Sequence, residues 1–337
     1  MRGRKKRVLV SFTGLAAFLG AWVWPAAAET VQAAKQSCTG NPDIAWANQI
    51  KSCTTLIQTG AEAKSLALNY YKRGIAYFNL GDWDKAIADN SEALRHDAKY
   101  ADALVNRGAA FARKGQIDRA LQDYDQAIRL AANDPIVFYN RGKAYLDKDQ
   151  NDQAIQDFNQ ALAMSDKLGP YKPLVHNNRG VAFRNKGRYD LAIEDYDQAI
   201  RLDEKYQAAY NNRCWARAMA GHFEKALADC DASLKLKPND ATAYDGRGFT
   251  LLRLGQAERA IPEYEAALQL NPKLASALYG RGIAKLRKGD RTGGYADIAA
   301  ARAINSGIAT EFQRYGITEQ EPKRQPEPQR PPTGRPR

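Results

Sequence analysis

The sequence predicts an all-α solenoid of about seven helix-turn-helix repeats with a capping helix at each end, and three observations carry that reading. Arginine recurs at Arg73, Arg107, Arg141, Arg179, Arg213, Arg247 and Arg281, with spacings of 34, 34, 38, 34, 34 and 34 residues. Each is followed by Gly, except Arg213, which precedes Cys214. Small residues return at three further fixed places in each period, as Ala110, Ala120 and Ala127 do in the second. One such helix pair cannot bury its apolar face alone, so neighbouring repeats must stack.

The elements follow in chain order. Arg2, Arg4, Lys5, Lys6 and Arg7 precede an uncharged run from Val8 to Trp24, then Pro25 and Ala26-Ala27-Ala28. A basic start, an apolar segment and an A-x-A ending describe a signal peptide over residues 1–28, cleaved after Ala28. The alternative is an uncleaved anchor, since the run lies at the short end of the roughly 17–25 residues that span a bilayer. Both place the rest outside the cytoplasm. The expected localisation is periplasmic or secreted, with no membrane contact once the signal is removed.

Residues 29–66 read as an N-terminal cap with a disulfide staple, its helix starting at Asn41-Pro42-Asp43 and stopping near Gly60. Repeats are expected over 67–100, 101–134, 135–168, 173–206, 207–240, 241–274 and 275–308; residues Gly169 to Lys172 account for the one long spacing. Glycine at 81, 115, 187, 221, 255 or 289 stops the first helix of six repeats. In the last repeat Gly293-Gly294 costs about 1 kcal/mol per Gly against Ala, so fraying is expected there. A short capping helix over 309–316 ends at Gly316. Residues 317–337 hold six Pro and no apolar residue after Ile317, the composition of a disordered tail.

The periodic residues resemble the tetratricopeptide repeat over 67–308. The matching features are the Gly within helix A, an aromatic such as Tyr77, Phe111, Tyr145 or Phe183 three places on, and the Ala of helix B. A helix-B aromatic such as Tyr124, Phe158, Tyr196 or Tyr264 follows that Ala by four. The resemblance implies a right-handed superhelix whose concave face, lined by helix A, receives proteins or peptides. It also implies a non-enzymatic scaffold. One departure recurs: Arg stands where the family has Leu, and an acid follows sixteen residues later in every repeat, from Asp89 to Asp297. If Gly and the helix-B aromatic face each other, Arg and acid meet, and partly buried Arg is normally paired.

The cysteines obey the same geometry. Cys214 replaces a helix-A Gly and Cys230 a helix-B aromatic, 16 residues apart; Cys53 takes the helix-B place in the cap, 15 after Cys38. An even count in an exported chain favours the bridges Cys38–Cys53 and Cys214–Cys230 over a redox pair, which would need C-x-x-C spacing.

No catalytic or nucleotide-binding signature is present, the three His have no matched ligand partner in sequence, and no cofactor or metal is expected. The net charge of +12 is no nucleic-acid footprint: outside the two ends the chain carries 40 basic and 35 acidic side chains. Surface recognition remains. Asn106, Asn140, Asn178 and Asn212 each precede the repeat Arg and resemble the asparagine ladder of peptide-binding members of the family. An amide both donates and accepts, so such a ladder grips a peptide backbone irrespective of sequence. Tyr71, Tyr139, Tyr279, Trp215 and Phe249 stand beside it as apolar anchors. The competing view of the ladder is repeat consensus with solvated amides. The family's dicarboxylate clamp is not matched. The alternative function is a self-assembling component of cell-envelope biogenesis, in which the repeats form a homo-oligomer.

Overall fold

The structure, a computed structural model, describes residues 31–60 and 62–319. The signal peptide expected over residues 1–28 and the stretch beyond Glu319 lie outside the described residues. All regular structure among those described is helical: residues 31–37, then α1 (Trp46–Gln58), α2 (Ala63–Asn79), α3 (Trp83–His96), α4 (Ala101–Arg113), α5 (Ile117–Leu130), α6 (Pro135–Asp147), α7 (Asn151–Ala163), α8 (Lys172–Asn185) and α9 (Tyr189–Leu202). There follow α10 (Gln207–Met219), α11 (Phe223–Leu236), α12 (Ala241–Arg253), α13 (Ala257–Leu270), α14 (Ala275–Arg287), α15 (Arg291–Ile304) and α16 (Ile308–Arg314). Two short 3₁₀ turns, Ser165–Lys167 and Gly169–Tyr171, carry the four-residue insertion, anchored by the buried Leu168. The chain divides into two compact units, one ending at Ala144 and the other starting at Tyr145.

Within each unit successive helices pack as antiparallel pairs. Helix α5 shows why: its buried residues, Ala120, Asp123, Tyr124 and Ala127, lie at i, i+3, i+4 and i+7 along one face. The pairs are close because of glycine. A Cβ at Gly108 would lie 2.8 Å from the Tyr124 ring, and one at Gly180 would lie 2.7 Å from the Tyr196 ring. The same approach brings Cys214 to Cys230, whose Cα atoms are 5.4 Å apart in a disulfide. Cys38 and Cys53 form the other bridge, with Cα atoms 4.9 Å apart.

That approach also brings the repeat Arg to its acid. Arg107 Nε and Nη2 donate to the two carboxylate oxygens of Asp123 at 2.9 and 2.7 Å. Arg73 with Asp89, Arg179 with Asp195, Arg213 with Asp229 and Arg281 with Asp297 repeat the two-pronged arrangement, and Arg247 pairs with Glu263. The remaining Nη1 reaches the preceding repeat. Arg107 bonds Ser91, Arg141 bonds Asp125, Arg179 bonds Asn159 and Arg247 bonds Asp231. One guanidinium therefore ties its own two helices together and ties both to the repeat before.

Three expectations need correction. The N-terminal cap helix starts at Trp46, not at Asn41, because the buried Gln49 amide accepts from Gly40 N at 2.7 Å and donates to the carbonyls of Asn41 and Ile44, holding 40–45 as a loop. In the last repeat, where fraying was expected, α15 is continuous through both glycines: Asp290 caps it by accepting from Gly293 N, and Gly294 is buried against Leu286 and the Gly282 carbonyl. The tail does not begin at 317, since Ile317 is 1 % exposed and Glu319 pairs with Arg302.

The paired guanidinium yields a stability test. Asp123→Ala leaves the Arg107 charge without its two-pronged partner. The expected loss in urea unfolding is about 2 kcal/mol, below the 3–5 of a fully buried pair because the Arg107 side chain keeps 22 % of its exposure. Replacing both by Leu restores most of it; a double Leu variant as unstable as the Ala variant would show that the pair is not the source.

Candidate peptide-binding face

The ladder residues and the proposed anchors all lie on helix A of their repeats, and each compact unit carries its own set. In the first unit Asn106 and Asn140 are half-buried on α4 and α6. Asn106 Nδ2 is buried without a hydrogen-bond partner among the described residues. Tyr71 on α2 is half-buried and its ring lies 4.9 Å from that of Tyr100; burial and the nearby Asp102 and Asp134 push its hydroxyl up to about 12. Tyr139 is 6 % exposed, with Lys143 Nζ 5.5 Å above its ring.

In the second unit the amides bond one another. Asn212 Nδ2 on α10 donates to Asn177 Oδ1 on α8 at 2.9 Å, and Asn177 Nδ2 donates to Asn178 Oδ1 at 3.3 Å. Arg184 Nη1 donates to Asn212 Oδ1 at 3.4 Å. Asn178 and Asn212 are therefore not simply solvated, and Asn212 helps hold α8 to α10. At the position before the ladder, where the sequence reading named only Tyr71, Tyr139 and Tyr279, it missed Asn177, Asn211 and Asp245 of three successive repeats. The signal was the doubled amide, Asn177-Asn178 and Asn211-Asn212. Asn211 Nδ2 donates to Thr242 Oγ1 at 3.0 Å, while Asn211 Oδ1 is buried without a partner among the described residues.

The ladder stops at Asn212 for a steric reason. A Cβ at Gly246 would lie 2.8 Å from the Trp215 indole nitrogen, and one at Gly280 would strike the Tyr264 ring. The anchors of these last repeats are also less open than expected. Trp215 is half-buried with its ring 4.8 Å from Phe249; Phe249 is 0 % and Tyr279 1 % exposed. Their cover is the chain's own α16: Phe312 lies 4.7 Å from the Tyr279 ring and 5.9 Å from the Phe249 ring.

The histidines offer no ligand cluster among the described residues. His176 does have a carboxylate neighbour, Asp195 at 2.9 Å, but that carboxylate is already held by both prongs of Arg179.

Four family models match the sequence, three described as "Tetratricopeptide repeat", at residues 136–167, 173–206 and 213–288, and one as "TPR repeat", at 74–115 and 110–149. A search of curated proteins finds no match. Among solved structures, a tetratricopeptide repeat protein from Parabacteroides merdae aligns with a TM-score of 0.60 at 20 % identity, over 74 % of this chain and 98 % of that one. The APC/C hetero-tetramer Cut9–Hcn1 aligns with 0.60 at 20 %, over 77 % of this chain and 52 % of that one. PilW, described as a widely conserved type IV pilus biogenesis factor, aligns with 0.57 at 18 %, over 62 % and 94 %. At these identities the likeness is one of fold.

Asp245 gives the face a pH dependence. Burial raises its carboxyl to about 7, against a Ser276 hydroxyl bond that pulls it down; the buried Tyr264 hydroxyl is its electrostatic neighbour and Arg287 in turn acts on Tyr264. The unfolded value is about 4, so the folded state holds the proton more tightly. Stability contributed by the protonated form is present below about pH 4 and is lost as pH rises to about 7. Asp245→Asn should therefore be the more stable protein at pH 8, by at most about 4 kcal/mol, with little gain at pH 4. Urea unfolding at the two pH values checks it, and an equal effect at both would refute the assignment.

Proposed function

Because the chain belongs to the tetratricopeptide-repeat family, we propose that it is a non-catalytic scaffold that grips an extended segment of a partner protein on its helix-A face. The observation that supports this most is the set of half-buried amides there, with Asn106 Nδ2 and Asn211 Oδ1 buried and unpartnered among the described residues. A buried polar atom without a partner costs about 1–3 kcal/mol, and an extended backbone would supply the missing acceptor and donor. Export fits the two disulfides, which persist in oxidising compartments. Among the described residues no helix is long and apolar enough to cross a membrane.

The test separates the amides by unit. With a partner recovered from envelope extract, replacing Asn106 and Asn140 by Ala should weaken binding by about 1 kcal/mol per lost hydrogen bond and leave the melting temperature nearly unchanged. Asn212→Ala should lower both, because that side chain bridges Asn177 and Arg184. Unchanged affinity in the double variant would reduce the ladder to repeat consensus.

One observation supports the self-assembly reading. Leu202, Leu236, Leu270 and Ile304 end four successive B helices and are 45, 41, 44 and 49 % exposed, an apolar stripe at one repeat position. If that stripe pairs copies of the chain, light scattering should find an oligomer that Leu236→Lys with Leu270→Lys converts to monomer. A monomeric wild-type protein would dismiss the reading.

A further inference from the structure

A terminal cap need cover only the last helix pair. The segment after α15 reaches further. Phe312 touches the ring of Tyr279 on α14 and, two repeats back from the C-terminus, that of Phe249 on α12; Tyr315 lies edge-on to Phe249 at 5.7 Å. Burial raises the Tyr315 hydroxyl, and the charges that act on it include Arg184 of α8, on the amide-bearing face. Ile308, Phe312 and Ile317 are 2, 2 and 1 % exposed. Beyond them Glu319 accepts from Tyr279 Oη at 2.9 Å and forms an ion pair with Arg302.

The covering residues follow a ligand's pattern. Ile308, Phe312 and Tyr315 stand at i, i+4 and i+7, the anchor spacing of an amphipathic helix laid in an apolar groove. An acid placed after the anchors meets an arginine and a tyrosine hydroxyl, so the groove has an apolar floor and a basic end. The segment hangs from α15 by only Asn305–Gly307, and its helix is seven residues long.

We propose that the trough over α10, α12 and α14 is a site for an amphipathic segment of a partner protein, with apolar anchors at i, i+4 and i+7 followed by an acidic residue, and that residues 308–319 are its resident occupant. This rests on the reading of the helix-A face as a peptide-binding surface and adds to it a second, helical ligand at a separate place from the amides. A tethered occupant competes at high effective concentration, so the partner's apparent affinity is its intrinsic affinity reduced by the fraction of time the trough stands open. Weakening the occupant raises that fraction.

The probe is a labelled synthetic peptide with the sequence of residues 305–319, added to the full chain and to the full-length variant Phe312→Ala/Tyr315→Ala. The variant should bind the peptide at least tenfold more tightly than the wild type, and a peptide carrying the same two Ala changes should not bind it. A variant that keeps its helical circular dichroism and binds no better than wild type overturns the proposal. Hydrogen exchange on the wild-type chain covers the case in which the variant does not fold. Amides of 308–317 should exchange faster in excess peptide, and exchange unchanged at millimolar peptide overturns the proposal equally. Neither result touches Asn106 or Asn140, so failure here leaves the amide-ladder test of the partner standing.

Discussion

Where a helix-A glycine lies against a helix-B ring, the two backbones approach until no Cβ fits between them. Gly108 with Tyr124, Gly180 with Tyr196 and Gly248 with Tyr264 all show this contact. Much else depends on it. Only at that separation can both prongs of a guanidinium reach the carboxylate sixteen residues on, and only there can a cysteine pair replace Gly and ring without moving the helices. The ion pair in turn fixes the register between repeats, because the third nitrogen of the same guanidinium reaches back to Ser91, Asp125, Asn159 or Asp231. Arginine suits this position better than the family's Leu would suggest, since its planar fork can serve two partners in fixed directions where lysine offers a single point charge.

The parts of this arrangement that repeat were legible in the sequence, and the parts that occur once were not. Period, helix pairing and Arg–acid partners follow from positions compared across seven repeats, and the Cys214–Cys230 bridge from the facing pair of positions that the same comparison reveals. The backward reach of the guanidinium was also written there, as the polar residue two places after the acid in the first six repeats, but nothing in one repeat says that this residue faces its neighbour. The Gln49 staple, the capping by Asp290 and the docking of Ile317 have no counterpart to compare with. Each depends on side-chain contacts that periodicity does not encode. The third repeat shows the same limit in reverse: Asp149 takes φ 56° at the place where the other repeats put glycine, and the Asn151 side chain donates to its carboxylate. Asp tolerates the left-handed region at a cost of about 1 kcal/mol, so the turn survives the change of letter.

The candidate face illustrates how a repeat position acquires different roles along one chain. At the place two before the repeat Arg stand Tyr71, Val105, Tyr139, Asn177, Asn211, Asp245 and Tyr279, a drift from aromatic to amide to acid and back. The amide stretch binds itself through Asn177 and Asn212, whereas Asn106 keeps a buried nitrogen without a partner among the described residues. An amide offers two protons and two lone-pair sites, so a single bond to a neighbour does not exhaust it. A peptide laid there would meet oriented donors and acceptors already fixed by packing, and would lose less ordering entropy than on a mobile surface.

Within the second unit, after Asn212, the ladder gives way to glycine because aromatic rings fill the space above Gly246 and Gly280. The rings of Trp215, Phe249 and Tyr279 form an apolar floor that water covers poorly, and burying it is worth roughly 25 cal/mol per Å². Left open, such a floor is a liability in a concentrated compartment. Phe312 and Tyr315 remove the liability, with two rings at the end of a seven-residue helix. A short helix has little intrinsic stability and persists only through the surface it packs on. The amide stretch and the covered trough therefore differ in kind: one presents polar groups, the other presents rings whose cover is held by apolar packing and by the bonds of Glu319 to Tyr279 and Arg302.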